Sequence, residues 1–137
     1  MHKRGTPKEM QKKLNPRANM VKEFDKFIEK RLKILDKMKF NLKKVWFDPG
    51  IGFGKTLNQN LQLMRSLSKY SHKNLQILLG SSRKSWINFI DPSNADQRIG
   101  GSLASITHAL QQNVNTFRIH DVQETNQMIK VLKALNK

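Results

Sequence analysis

Three short stretches hold most of the residues able to do chemistry. Asp48 opens the glycine-rich segment Pro49 to Lys55, Ser82-Arg83-Lys84-Ser85 sets two cations between hydroxyls, and Arg118 precedes His120-Asp121. His2 and Arg4 add a further imidazole and guanidinium. Lys and Arg meet phosphate or carboxylate oxygens, and an Asp accepts a pair of N–H donors from a heterocycle. Such a set suits an anionic, hydrogen-bonding small molecule. Gly50-Ile51-Gly52-Phe53-Gly54-Lys55-Thr56 fails both nucleotide motifs by spacing. A phosphate loop needs Gly where Pro49 stands, and the dinucleotide fingerprint needs Gly where Lys55 stands. The glycines instead predict a tight turn that exposes backbone, with Phe53 able to lie across a flat ligand.

The elements that must position these residues alternate. Met20, Phe24, Phe27, Ile28, Leu35 and Met38 fall at helical spacing, predicting an amphipathic helix over 17–39. Val45-Trp46-Phe47 is a short apolar run closed by Asp48-Pro49-Gly50, a buried strand ending in a turn. A second helix from about Asn58 puts Leu61, Met64, Leu67 and Tyr70 on one face, and residues 75–79 form the next strand. A short helix over 84–90, a loop at Asp91-Pro92-Ser93-Asn94 and a helix over 100–112 follow. Thr116 to Ile119 is a third strand, and 123–135 a final helix with Met128, Ile129, Leu132 and Leu135 inward. Short apolar strands alternating with helices predict parallel strands with helical crossovers, hence an α/β sheet or part of a (β/α) barrel. Three strands, or four with Met1-His2 as a stub, fall short of a whole barrel, which takes about 250 residues. In a parallel sheet the strands all end on one rim, and every candidate residue above follows a strand.

Composition narrows the classes. The chain has 137 residues, enough for one domain, 37% of them hydrophobic and with no Cys, which excludes disulfides, Cys-ligated zinc and thiol catalysis. No apolar run approaches bilayer length, so no membrane partner is expected, and the first residues lack the order of a signal peptide, which fits a cytoplasmic address. A net charge of +16 invites nucleic acid as a partner, but 19 of the 26 basic residues are Lys, spread along the chain among twelve Asn and few aromatics. That pattern favours a solvated surface over a dedicated nucleic-acid face. Structural roles compete at each candidate: Asp48 as a turn cap, Asp121 as the N-cap of the last helix, Ser82 or Ser85 as the cap of the helix near Lys84.

Five motifs occur in order along the chain: Met1-His2-Lys3-Arg4-Gly5-Thr6-Pro7, Asp48 to Lys55, Gly80-Ser81-Ser82-Arg83-Lys84-Ser85, Arg98 to Ala104, and Arg118-Ile119-His120-Asp121-Val122. Through them the sequence resembles the C-terminal half of dihydropteroate synthase, the folate-pathway enzyme family. The resemblance implies an α/β fold, the last strands and helices of a (β/α)8 TIM barrel, incomplete on its own, with residues 1–137 as one partial pterin-binding domain. It implies a transferase that joins 6-hydroxymethyl-7,8-dihydropterin diphosphate to p-aminobenzoate and releases pyrophosphate. By the resemblance, Met1, Asp48, Lys84 and Arg118 hold the pterin, and Arg118 with His120 holds the diphosphate. Phe53, Lys84 and Ser85 receive p-aminobenzoate, and Lys84, Arg118 and His120 carry the chemistry. The family's Mg2+ ligand, an Asn, and its mobile loops belong to a first half without counterpart here, so no metal ligand is expected in this chain and about half a site is present. Half a barrel leaves sheet edges and an apolar interior uncovered, so a homodimer or a complementing N-terminal half is implied as partner. The alternatives are an eroded, inactive remnant and a basic nucleic-acid-binding module.

Overall fold

The computed structural model describes residues 1–137 except 7, 11, 13, 72, 74 and 137; Pro7 of the first motif thus lies outside the described residues. The first helix, α1 (Met20–Lys37), starts where Asn19 accepts the Lys22 N–H in its side chain, an N-cap that satisfies one of the free donors. Met20, Phe24 and Ile28 recur at four-residue steps and are buried. Met38, expected inward, is 68% exposed because the helix has ended and Met38 serves as its C-cap.

Strand β1 (Trp46–Phe47) is followed by α2 (Leu57–Arg65), entered through a capping box of Thr56 and Gln59. Gln59 also donates to Asn15 O at 2.6 Å and Ala18 O at 3.1 Å, tying the segment ahead of α1 to α2. The expected single apolar face from Leu61 to Tyr70 is split: α2 stops at Ser66, and a short α3 (Ser68–Ser71) carries Tyr70. Ser66 Oγ donates to Gln62 O at 2.8 Å, the local competition that makes Ser a poor interior helix residue. Both Leu67 and Tyr70 are nevertheless buried.

Strand β2 (Gln76–Leu79) leads to α4 (Ser85–Asn88), then α5 (Ile99–Gln111), β3 (Thr116–Phe117) and α6 (Val122–Leu135). The three strands form one sheet in the order β1-β2-β3, both pairs parallel, with Phe47 beside Ile77 and Leu79 beside Phe117. Strands β1 and β3 are shorter than the sequence predicts, two residues each. Met1-His2 forms no strand, yet His2 N donates to Asp48 O at 2.8 Å along the free side of β1. On α6, Leu135 is 76% exposed rather than inward, since it lies in the last turn beyond the packed face.

Alternation along the strands separates two faces. Phe47, Ile77 and Leu79 point to the helices and are buried. Trp46 points to the other face, is 46% exposed, and reaches across β2 to donate from Nε1 to Thr116 Oγ1 at 3.2 Å. No helix covers that face among the described residues. No helix of the described residues is long and apolar enough to cross a membrane.

Candidate functional site

The parity that exposes Trp46 also aims the candidate residues. Asp48 is two residues after Trp46, and Arg118 two after Thr116, so both project from the uncovered face at its C-terminal rim. They flank β2 rather than each other. The guanidinium of Arg118 crosses the middle strand at Gly80, where an added Cβ would come within 2.8 Å of Nη2. Arg118 Nη2 then stands 3.9 Å from Asp48 Oδ2, an ion pair too long to be a hydrogen bond. The side chain of Arg118 is 59% exposed and that of Asp48 12%. Asp48 Oδ1 accepts the Gly50 N–H at 2.7 Å, so the turn-capping role is real. Oδ2 takes no hydrogen bond among the described residues and remains available to an incoming N–H donor.

Lys84 reaches the same opening from the loop after β2. Its Nζ donates to Ile51 O at 2.5 Å and lies 4.3 Å from the centre of the Phe53 ring. Burial pushes its pKa down to about 8, with Asp48 opposing the shift and Arg118 adding to it. The ammonium therefore sits between a carboxylate, a cation and an aromatic face. Asp48, Phe53, Lys84 and Arg118 are brought together as expected.

Beneath them, Lys55 holds the glycine loop in place. Its Nζ donates to His2 O (3.1 Å), Gly50 O (2.7 Å) and Phe53 O (3.0 Å), and the residue is 3% exposed. Desolvation brings its pKa down to about 8, against the attraction of Asp48. Gly50 has φ +66°, and a Cβ there would lie 1.9 Å from His2 O, so only glycine lets the loop close on the preceding segment.

His2 and Arg4, expected on the rim, turn away from it. The His2 ring packs 5.9 Å from Phe24 and 5.5 Å from Phe27, buried beneath the loop. Its pKa falls to about 4, through burial first and then the nearby Lys55 and Arg4 charges. Arg4 Nε pairs with Glu23 Oε2 at 3.4 Å. Met1 is exposed beside the loop. Ser85 is exposed at the start of the four-residue α4. It lines a hollow of about 680 Å3 with Leu14, Lys55, Thr56, Leu57 and Phe89, whose walls include neither Phe53 nor Lys84.

His120 is exposed at the end of the third rim segment. Its Nδ1 lies 3.1 Å from Ser82 Oγ, and its backbone N–H donates to the same oxygen at 3.4 Å. Asp121 precedes α6 at the N-cap position but makes no side-chain cap; its carboxylate takes the Arg83 fork instead, Nε to Oδ2 at 3.0 Å and Nη2 to Oδ1. That contact lowers the Asp121 pKa and raises that of Arg83. Neither Ser82 nor Ser85 caps α4, whose N-cap is Lys84.

A family model described as "Pterin binding enzyme" matches residues 1–120. The chain belongs to this family. It is 35% identical to the dihydropteroate synthase of Escherichia coli K12 over 135 residues, which cover 98% of this chain and 47% of that protein. To the dihydropteroate synthase of Haemophilus influenzae it is 36% identical, covering 98% of this chain and 48% of that protein. The crystal structure of Yersinia pestis dihydropteroate synthase with a sulfonamide drug complex superposes with a TM-score of 0.89 at 32% identity, over 98% of this chain and 49% of that one. The chain thus spans about half the length of these relatives. The fold is the one the motifs implied: an α/β unit with a parallel sheet, the C-terminal half of a (β/α)8 barrel.

Several contacts that shape this rim carry no signal of their own in the sequence. Gly80 is, in the sequence, only the first residue of a motif, and the strand order β1-β2-β3 is what makes it the passage for Arg118. Lys55 reads in the sequence as one more loop cation, although its position after three glycines suits an ammonium that clasps bent backbone. Ser82, Arg83 and Asp121 read in the sequence as caps or rim charges, yet Ser82 meets His120 and Arg83 meets Asp121, each pair 38 positions apart.

Proposed function

We propose that this chain supplies the C-terminal half of a dihydropteroate synthase site, which condenses 6-hydroxymethyl-7,8-dihydropterin diphosphate with p-aminobenzoate in the cytoplasm. The observation that carries this reading is the open Asp48 Oδ2 beside the Arg118 guanidinium, reached across Gly80. A carboxylate held by Gly50 N on one oxygen keeps lone pairs on both for the paired N–H groups of a pterin. Lys84 exchanges its bond to Ile51 O for the ring acceptors, and Arg118 stacks on the ring. Met1 borders the pterin, while Phe53, Lys84 and Ser85 take p-aminobenzoate.

The chemistry then follows from charge. The bond between the pterin methylene carbon and the diphosphate oxygen breaks, its electron pair leaving on pyrophosphate. The arylamine nitrogen forms the new C–N bond and releases a proton. Arg118 neutralises the leaving charge while His120 helps hold the diphosphate, the kind of preorganised electrostatic help that lowers such barriers most. Mg2+, by the resemblance, would be held by an Asn of the first half and the diphosphate oxygens, and no step on the residues of this chain is routed through it. A second copy or an N-terminal half of the barrel covers the face bearing Trp46.

Turnover in the whole protein tests the reading. Lys84→Ala and Arg118→Ala each reduce p-aminobenzoate-dependent pyrophosphate release at least a hundredfold with unchanged circular dichroism. Near-normal release in both variants, or binding to any DNA duplex that falls steeply with salt while pterin does not bind, overturns it.

A further inference from the structure

Ser82 lies at the hinge between two rim loops, and its hydrogen-bond capacity decides more than packing. The residue is 3% exposed, and its Oγ has two partners among the described residues, both on His120. The His120 backbone N–H donates to Oγ and takes one lone pair. The hydroxyl hydrogen then has a single acceptor in reach, the His120 Nδ1 at 3.1 Å. If Nδ1 carried the proton instead, the hydroxyl would be buried with its own hydrogen unpaired, which costs about 1–3 kcal/mol. The satisfied arrangement leaves the ring proton of neutral His120 on Nε2, away from Ser82 and toward solvent.

The neighbours hold this geometry. Arg83 has φ +55°, and its N–H donates to Ser102 Oγ at 2.9 Å while its carbonyl accepts from Arg98 Nη1 at 3.0 Å. Its guanidinium grips Asp121, the residue after His120. The two loops are therefore locked at consecutive positions, Ser82 to His120 and Arg83 to Asp121.

We propose that Ser82 is a positioning residue that fixes His120 as the Nε2–H tautomer, so that the neutral imidazole presents a donor to the oxygens of the diphosphate. This rests on the reading of His120 given above. The test uses 15N-histidine spectra of the full chain, with His120 assigned by its loss in His120→Gln, together with titration by inorganic pyrophosphate. Wild-type His120 is expected to have an unprotonated Nδ1 and a protonated Nε2, with no detectable second tautomer. Ser82→Ala returns the mixture of both tautomers and weakens pyrophosphate three- to tenfold, whereas Ser82→Thr restores both readouts. An Nδ1–H tautomer in the wild type, or a Ser82→Ala spectrum identical to it, overturns the proposal. A pyrophosphate affinity untouched by His120→Gln overturns the diphosphate reading of His120 instead, and the spectra still decide the role of Ser82.

Discussion

Replacing His2 by Phe should remove much of the acid sensitivity of the fold. The imidazole is 7% exposed, lies against Phe24 and Phe27, and its Nδ1 has no hydrogen-bond partner. Burial and the Lys55 and Arg4 charges lower its pKa from 6.5 to about 4. A lowered histidine pKa means that the unfolded chain binds the proton first, so stability falls as pH drops from 6.5 toward 4 and is complete above 6.5. At 1.36 kcal/mol per pKa unit, the shift amounts to a loss of about 2 kcal/mol by pH 5 and about 3 kcal/mol by pH 4. Against a typical domain stability of about 5–15 kcal/mol, that is a large share. Phe keeps the aromatic packing and cannot titrate. Urea unfolding followed by tryptophan fluorescence, at pH 7, 6, 5 and 4, gives the difference between the two proteins. The Pro49 carbonyl loses its imidazole contact in the variant, which adds an offset independent of pH and leaves the slope to report His2. Parallel curves for the two proteins from pH 7 to pH 4 would refute the assignment of acid sensitivity to the buried ring.

Two further substitutions probe the rim and its support. Gly80→Val pushes the Arg118 guanidinium off its path, because the clash falls on the mobile end of an exposed side chain; pterin binding should weaken about tenfold while the melting temperature moves by only a few degrees. Isothermal titration and thermal melts check the pair of outcomes. Lys55→Met leaves the carbonyls of His2, Gly50 and Phe53 without their shared donor, and should cost on the order of 3 kcal/mol by urea unfolding at pH 7.

Much of this architecture was legible because local signals suffice for it. The period of Met20, Phe24 and Ile28 marks a helix face, and Asp48-Pro49-Gly50 ends a strand by chain chemistry alone. Once the strands are parallel, their following residues must share a rim, which brought Asp48, Lys84 and Arg118 together correctly. What stayed hidden depends on contacts between distant segments. Met38 and Leu135 continue their helix periods, but periodicity does not reveal whether a neighbour covers a helix end. His2 follows the rim pattern in sequence, yet the Phe24–Phe27 pair offers its ring a burial site that alternation cannot foresee. Asp121 is a good N-cap residue in isolation, and only the folded loops let the Arg83 fork outcompete the cap. The crossing of Gly80 by Arg118 needed the order β1-β2-β3, which no single strand encodes.

Asp48, with one oxygen held by Gly50 N and the other without a hydrogen bond beside Arg118, is placed to anchor a pterin. Titration of 6-hydroxymethylpterin into the full chain, followed by the ligand's own fluorescence, tests it most directly when wild type and Asp48→Ala are compared under the same conditions. Saturable binding by the wild type that weakens at least a hundredfold in a folded Asp48→Ala protein is the predicted result. Equal affinity in the two proteins would contradict the account.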